Sequence, residues 1–223
     1  MRIFDPHIHM TSRTTDDYEN MYRVGVRALV EPAFWLGQPR TGVVAFTDYF
    51  DSLIGWERFR AAMFGIRHHC TIALNPKEAN DPRCVEVLDV LPRYPALVVV
   101  DHLNEPTVGL VTDSGRWMGF SIYPDTKMDE HRMVALLREY GTSRVLVNSA
   151  ADWGRSDPLK THHVGVAMLE TGFSESDVDT VLWRNPVEFY GQSGRLVLDE
   201  LPGFTASTDV FAGNSVLRGG GND

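Results

Sequence analysis

The chain has 223 residues, 43% of them hydrophobic and 23% charged, and its 30 acidic against 21 basic side chains leave a net charge of −9. That size and apolar content suit one large α/β domain plus a tail. The acidic balance excludes a phosphate-tracking nucleic-acid surface or an anionic membrane as the main partner and leaves a small-molecule substrate.

Cys70 and Cys84 are the only cysteines and lack CxxC spacing, so neither a disulfide framework nor a thiolate zinc site is expected. No basic region followed by an apolar run opens the sequence, and no apolar run nears the ~20 residues of a membrane helix. A soluble cytoplasmic protein is the resulting expectation.

In chain order, Arg2 to Met10 (RIFDPHIHM) reads as an apolar strand ending in His7-Ile8-His9. Strand side chains repeat every two residues, so both imidazoles fall on one face, which makes half a metal site at the end of a strand. Tyr18 to Val26 has helical spacing, and Arg27 to Phe34 is a second buried strand with Glu31 near its end. A long helix from Phe46 to Gly65 carries an aromatic stripe (Tyr49, Phe50, Trp56, Phe59) expected in the core. The third strand, His69 to Leu74, ends in Asn75-Pro76, with His68 before it expected in solvent. Asp81-Pro82 starts a helix running to about Tyr94.

Ala96 to His102 (ALVVVDH) is the continuous apolar run of a doubly covered parallel strand, with His102 at its end. Glu105 opens a short helix through Thr112, Trp117 to Tyr123 is a fifth strand, Lys127 to Tyr140 is a helix ended by Gly141, and Arg144 to Ser149 is a sixth strand. A loop holding Asp152 leads to a helix over Leu159 to Glu170, for which Ser156 or Asp157 is the cap. Further helices start at Ser174 and at Asn185. Residues 1–202 form the domain, and 203–223, rich in Gly, Ser and Thr with isolated apolar residues, form an extended tail through which a homo-oligomer could assemble.

Strand alternating with helix is the grammar of a parallel sheet with right-handed crossovers. Six strands are readable where a closed (β/α)8 barrel needs eight. The spacing is tightest where the helix ending at Tyr94 meets the strand starting at Ala96.

The motifs DPHIHM, ALNP, VDHLNE, NSAADWG and NPVEFYG, in that order over about Arg2 to Gly191, resemble the TatD-like branch of the metal-dependent hydrolases of the amidohydrolase superfamily. The resemblance implies a TIM barrel with one or two divalent ions (zinc, manganese or magnesium) at its C-terminal mouth, and metal-activated water acting on a phosphoester or amide-type bond. It assigns His7, His9 and His102 as ligands and makes Asp152 the last-strand aspartate, both a ligand and the group that handles the water's proton. Asp157 is the fallback for that role. A bridging carboxylate and a histidine, which the family takes from its fourth and fifth strands, have no counterpart; both would fall between Tyr94 and Val98, in a segment either deleted or not represented.

Glu31, Asn75, Tyr123 and Asn148, at strand ends, are candidate substrate contacts. Two other classes fit the same residues: a metal-dependent TIM-barrel sugar isomerase or epimerase, and an inactive barrel serving as an assembly subunit.

Overall fold

The computed structural model describes residues 1–33, 40, 42–71, 99–112, 116–123 and 127–204. The expected helix over 81–94, the candidate Asn75 and the tail beyond Phe204 lie outside them.

The described residues contain six parallel strands, β1 (Ile3–Asp5), β2 (Val26–Pro32), β3 (Arg67–Thr71), β4 (Val99–Val100), β5 (Trp117–Ser121) and β6 (Val145–Asn148). They pair as two three-stranded sheets, ordered β1-β2-β3 and β4-β5-β6. The fold is therefore α/β and parallel, but the described residues form no closed barrel, which departs from the eight-stranded ring that the resemblance implies. Two hydrogen bonds join the segments leaving β1 and β6: the Ala150 N–H donates to the His7 carbonyl (2.9 Å) and the His9 N–H to the Ala151 carbonyl (2.8 Å). The strands thus follow one another as 3-2-1, a joint, then 6-5-4. Among the described residues β3 and β4 are not paired, and residues 72–98 between them lie outside those described.

Helices cover the sheets as the periodicity predicts. α1 (Thr15–Arg23) begins with a capping box between Thr14 and Asp17 and buries Tyr18 and Met21. The long second helix is broken by wide turns: α2 (Val43–Asp51), a π-type segment over Ser52–Glu57, then α3 (Arg58–Met63). An extra residue in a turn rotates everything after it around the axis. Tyr49 and Phe50 accordingly reach the core, whereas Trp56 and Phe59 stay 58% and 59% exposed, against the expectation of one buried stripe.

α4 (Glu105–Thr112) and α5 (Glu130–Tyr140) follow, the latter capped by Asp129 and stopped by Gly141 at φ 82°. α6 (Lys160–Glu170) has Leu159 as its N-cap instead of Ser156 or Asp157, although the Asp157 carboxylate still accepts the Leu159 N–H. α7 (Glu175–Asp179), a π-type segment (Thr180–Arg184) and α8 (Asn185–Gly191) run on as one rod from the Ser174–Asp177 capping box.

The closing NPVEFYG segment locks the sheets. Asn185 donates its amide to the Thr142 and Val145 carbonyls, and the Tyr190 hydroxyl donates to the Pro6 carbonyl at 2.8 Å, next to the two histidines. Phe4 packs between Trp183 and Tyr190. Beyond α8 the chain stays on the body: Leu196 and Leu198 pack against the Phe4 cluster, and Phe204 lies 4.8 Å from the Phe64 ring.

A polar layer sits under the β2 and β3 ends. His68, expected in solvent, is a β3 residue with a fully buried side chain, its Nε2 2.8 Å from Glu31 Oε2. Nearby, Tyr18 donates to Glu57, whose carboxylate also meets Arg60 at 2.9 Å. Burial raises Glu57 above its ordinary 4.5, although Arg60 opposes the shift. The native state thus keeps a proton that the unfolded chain releases near pH 4.5, so this group's stabilisation is full below that pH and lost as pH rises through the raised value. Glu57→Gln, which keeps the tyrosine bond and carries no charge, is expected to flatten the fall of Tm with pH above 4.5. Parallel Tm–pH curves for variant and parent would disprove the assignment.

Candidate metal centre

Parallel strands align their C-terminal ends along one edge, and side chains from those ends converge. His7 and His9 follow β1, Asp101 and His102 follow β4, Ser121 ends β5, and Asn148 ends β6. The two N-terminal histidines lie just beyond the strand and not within it, because β1 ends at Asp5. Their rings still converge: His7 Nε2 and His9 Nε2 are 3.0 Å apart, with the planes at 89°.

The hydrogen bonds fix which ring nitrogen faces the site. Ser121 donates its hydroxyl to Asn148 Oδ1 (2.8 Å) and so accepts from His102 Nδ1 at 2.6 Å. The Asn148 amide donates to Asp101 Oδ1 at 3.2 Å, and His7 Nδ1 donates to Asp101 Oδ2 at 2.6 Å. His7 and His102 are both tied back through Nδ1, which leaves each Nε2 with a lone pair for a cation, the usual arrangement behind a histidine ligand. The His9 ring is backed by the Pro32 backbone, and burial together with the charge of His7 pushes it down to about 2, so it is a neutral donor at any working pH.

Ligand atoms of His7, Asp101 and His102 all lie within 4.8 Å of one another. Burial pushes Asp101 upward, but the His7 hydrogen bond and the charges of His7 and His102 outweigh it and hold the carboxyl well below the usual range. Burial lowers His102, with Asp101 opposing. Two imidazoles presenting Nε2, a third beside them and a carboxylate behind His7 suit zinc and related divalent ions. The residues fit the group that the resemblance implies.

Backbone strain marks the same edge. His102 (φ 60°) and Ala150 (φ 46°) are in the left-handed region, a conformation that costs a non-glycine residue about 1–3 kcal/mol and persists where surrounding bonds hold it. Here His102 is held through Ser121, and Ala150 through its N–H on the His7 carbonyl. Asp5 supports the histidine loop from below, accepting the His7 and Ser149 N–H groups; its complete burial raises it to about 7, with the Ser149 contacts opposing.

The other candidates are distributed around this cluster. Asp152 is outside the three-residue group: its Oδ1 accepts the Gly154 N–H at 2.7 Å and stands 3.3 Å from the Tyr123 hydroxyl. Asn148 is buried and serves the network. Glu31 is fully buried, one oxygen on His68 and the other on the Thr11 N–H.

Asp101 was not singled out from the sequence, although an acid directly before His102, closing a run of apolar residues, was the signal. Gly119 on β5 explains how Asp101 is accommodated, since a Cβ there would sit 2.5 Å from Asp101 Oδ1 and 3.0 Å from its Cα. Gly119→Ala is expected to push Asp101 off His7 and weaken divalent-metal affinity about 10- to 100-fold, the usual effect of disturbing a ligand's support. Competition with a chelating dye measures it, and an unchanged affinity would remove Asp101 from the centre.

A crystal structure of the TatD-like protein from Archaeoglobus fulgidus superposes with a TM-score of 0.54 at 16% identity, covering 79% of this chain and 98% of that one. In sequence, an uncharacterized metal-dependent hydrolase of Methanocaldococcus jannaschii is 19% identical over 254 residues, covering 84% of this chain and 99% of the relative. No family model matches. In sequence and fold, the chain is similar to the TatD-like metal-dependent hydrolases. The 254 aligned positions exceed the 223 residues of this chain, so the relative carries internal residues that have no counterpart here.

Proposed function

We propose that this protein is a metal-dependent hydrolase that opens a phosphoester or amide-type bond of a small molecule. The observation that carries the reading is the convergence of His7, Asp101 and His102 within 4.8 Å at the strand ends, each imidazole tied back through Nδ1. His7 and His102 through Nε2, with His9 beside them, would hold one divalent ion, and Asp101, which accepts from His7 Nδ1, would orient His7 behind it. When bound, such an ion makes water more acidic and draws electron density from the substrate's oxygen.

The chain's own residues do the rest. Asp101 holds His7 in the tautomer that presents Nε2, and the Ser121–Asn148 relay does the same for His102. Asp152, facing Tyr123 at the lip of the same edge, is in our reading the group that takes the proton of the attacking water. A single ion agrees with the lack of the two family ligands expected between Tyr94 and Val98.

The test is metal content measured by mass spectrometry after reloading with zinc, manganese or magnesium, alongside turnover of phosphoester and amide substrates with and without chelator. About one ion per chain and chelator-sensitive turnover of one bond class are expected. A reloaded protein that holds no ion would sink the proposal. Among the described residues, no helix is long and apolar enough to cross a membrane.

A further inference from the structure

The mechanism above leaves one cation at the site without a task. Lys127 lies just before α5, its N–H held by the Tyr123 carbonyl at 2.8 Å and its own carbonyl held by Arg132. Its ammonium stands 5.4 Å from the centre of the Tyr123 ring, and the hydroxyl of that same tyrosine meets Asp152. The side chain is half-buried. Burial lowers the ammonium, and the Asp101 and Asp152 carboxylates oppose that shift.

Among the described residues the ammonium is in no ion pair with any of these carboxylates. Two other cations near this edge are engaged. Arg13 pairs with Asp17 and donates to the Asp152 carbonyl, and Lys160 pairs with Glu130 at 2.6 Å. A lysine partly stripped of water and, among the described residues, without a direct counter-ion has donors to spare for a ligand that brings its own negative charge.

We propose that Lys127 anchors an anionic oxygen of the substrate, of a phosphoryl or carboxylate group, beside the metal centre. This rests on the hydrolase reading and narrows its substrate class to anionic molecules. Tyr123 forms the floor under the ammonium, and the Asp152 side marks the direction from which water approaches.

The probes are inorganic phosphate and acetate, titrated calorimetrically into the metal-loaded full chain and into the metal-free chain. Three proteins are compared: the parent, Lys127→Met and Lys127→Arg, with metal content measured on every sample. Loss of one charge-assisted hydrogen bond predicts about 10- to 100-fold weaker anion binding in Lys127→Met, near-parental binding in Lys127→Arg and equal metal content in all three. Preference for phosphate or for acetate identifies the group, and either preference with that lysine dependence supports the assignment. Anion binding unchanged in Lys127→Met, or absent from the metal-loaded parent, overturns it. Failure to hold metal counts against the hydrolase reading alone, because the lysine dependence can still be read in the metal-free chain.

Discussion

Replacing His7 and His9 together with alanine is expected to abolish stoichiometric metal binding and, with it, hydrolysis. Disturbing only the groups behind a ligand typically costs 10- to 100-fold in affinity, so losing two imidazoles whose Nε2 atoms approach to 3.0 Å should cost more than about 100-fold. A thermal readout checks this without any substrate. An ion that binds only the folded chain raises stability in proportion to the logarithm of its concentration, so the parent's Tm should climb with added metal while the double variant's stays flat. Because His9 is only 4% exposed, its truncation also opens a hole in the core, and the comparison is therefore the slope against metal and not the absolute Tm. A His7→Gln/His9→Gln variant, closer in volume, should show the same flat slope. A parental slope in both variants would mean that the ion is held elsewhere.

The largest stability effect is expected at Glu31. Both its carboxylate and the His68 side chain are fully buried, 2.8 Å apart, and the second oxygen holds the Thr11 N–H one turn beyond His9. Removing one partner of a buried hydrogen-bonded pair costs about 1–3 kcal/mol, because the survivor stays sealed from water without its partner. Glu31→Ala should lower the free energy of unfolding by that amount in urea titrations. Glu31→Leu combined with His68→Leu should recover most of it, since apolar replacements of both partners are often neutral. If Glu31→Ala proves harmless, the pair is not a structural clamp.

That residue also shows how far strand-end position can be read. Glu31 was placed correctly at the end of a strand, and from that position alone it is indistinguishable from a substrate contact. Its β3 neighbour makes the difference: parallel register sets Glu31 beside Cys70 and Leu29 beside His68, and the long glutamate side chain reaches the buried imidazole. His68 was expected in solvent because the strand was started two residues late. β3 begins at Arg67, which brings His68 into the strand and its side chain into the interior.

The aromatic stripe of α2 and α3 went the same way. A uniform 3.6-residue period puts Tyr49, Phe50, Trp56 and Phe59 on one side, and the π-type turn at Ser52–Glu57 turns the last two outward. Nothing in a hydrophobic pattern announces one extra residue in a turn.

What the amino-acid sequence determined by itself is the order of parallel strands and helices, through its apolar runs, capping residues and Gly141, and the position of His7, His9 and His102 just beyond strand ends. These are local properties: periodicity, caps and strand ends depend on residues a few positions apart. The tertiary structure alone decided which side chains meet at that edge. Asp101 meets His7 across 94 positions, and Asn148 reaches Asp101 across 47. It also decided which ring nitrogens of His7 and His102 are tied back, and that the segments after β1 and β6 join through Ala150 and Ala151. Such pairings follow from which strand ends lie side by side once the core of Ile3, Leu29, Phe120 and Val147 has closed, and that adjacency is not written into any short stretch of chain.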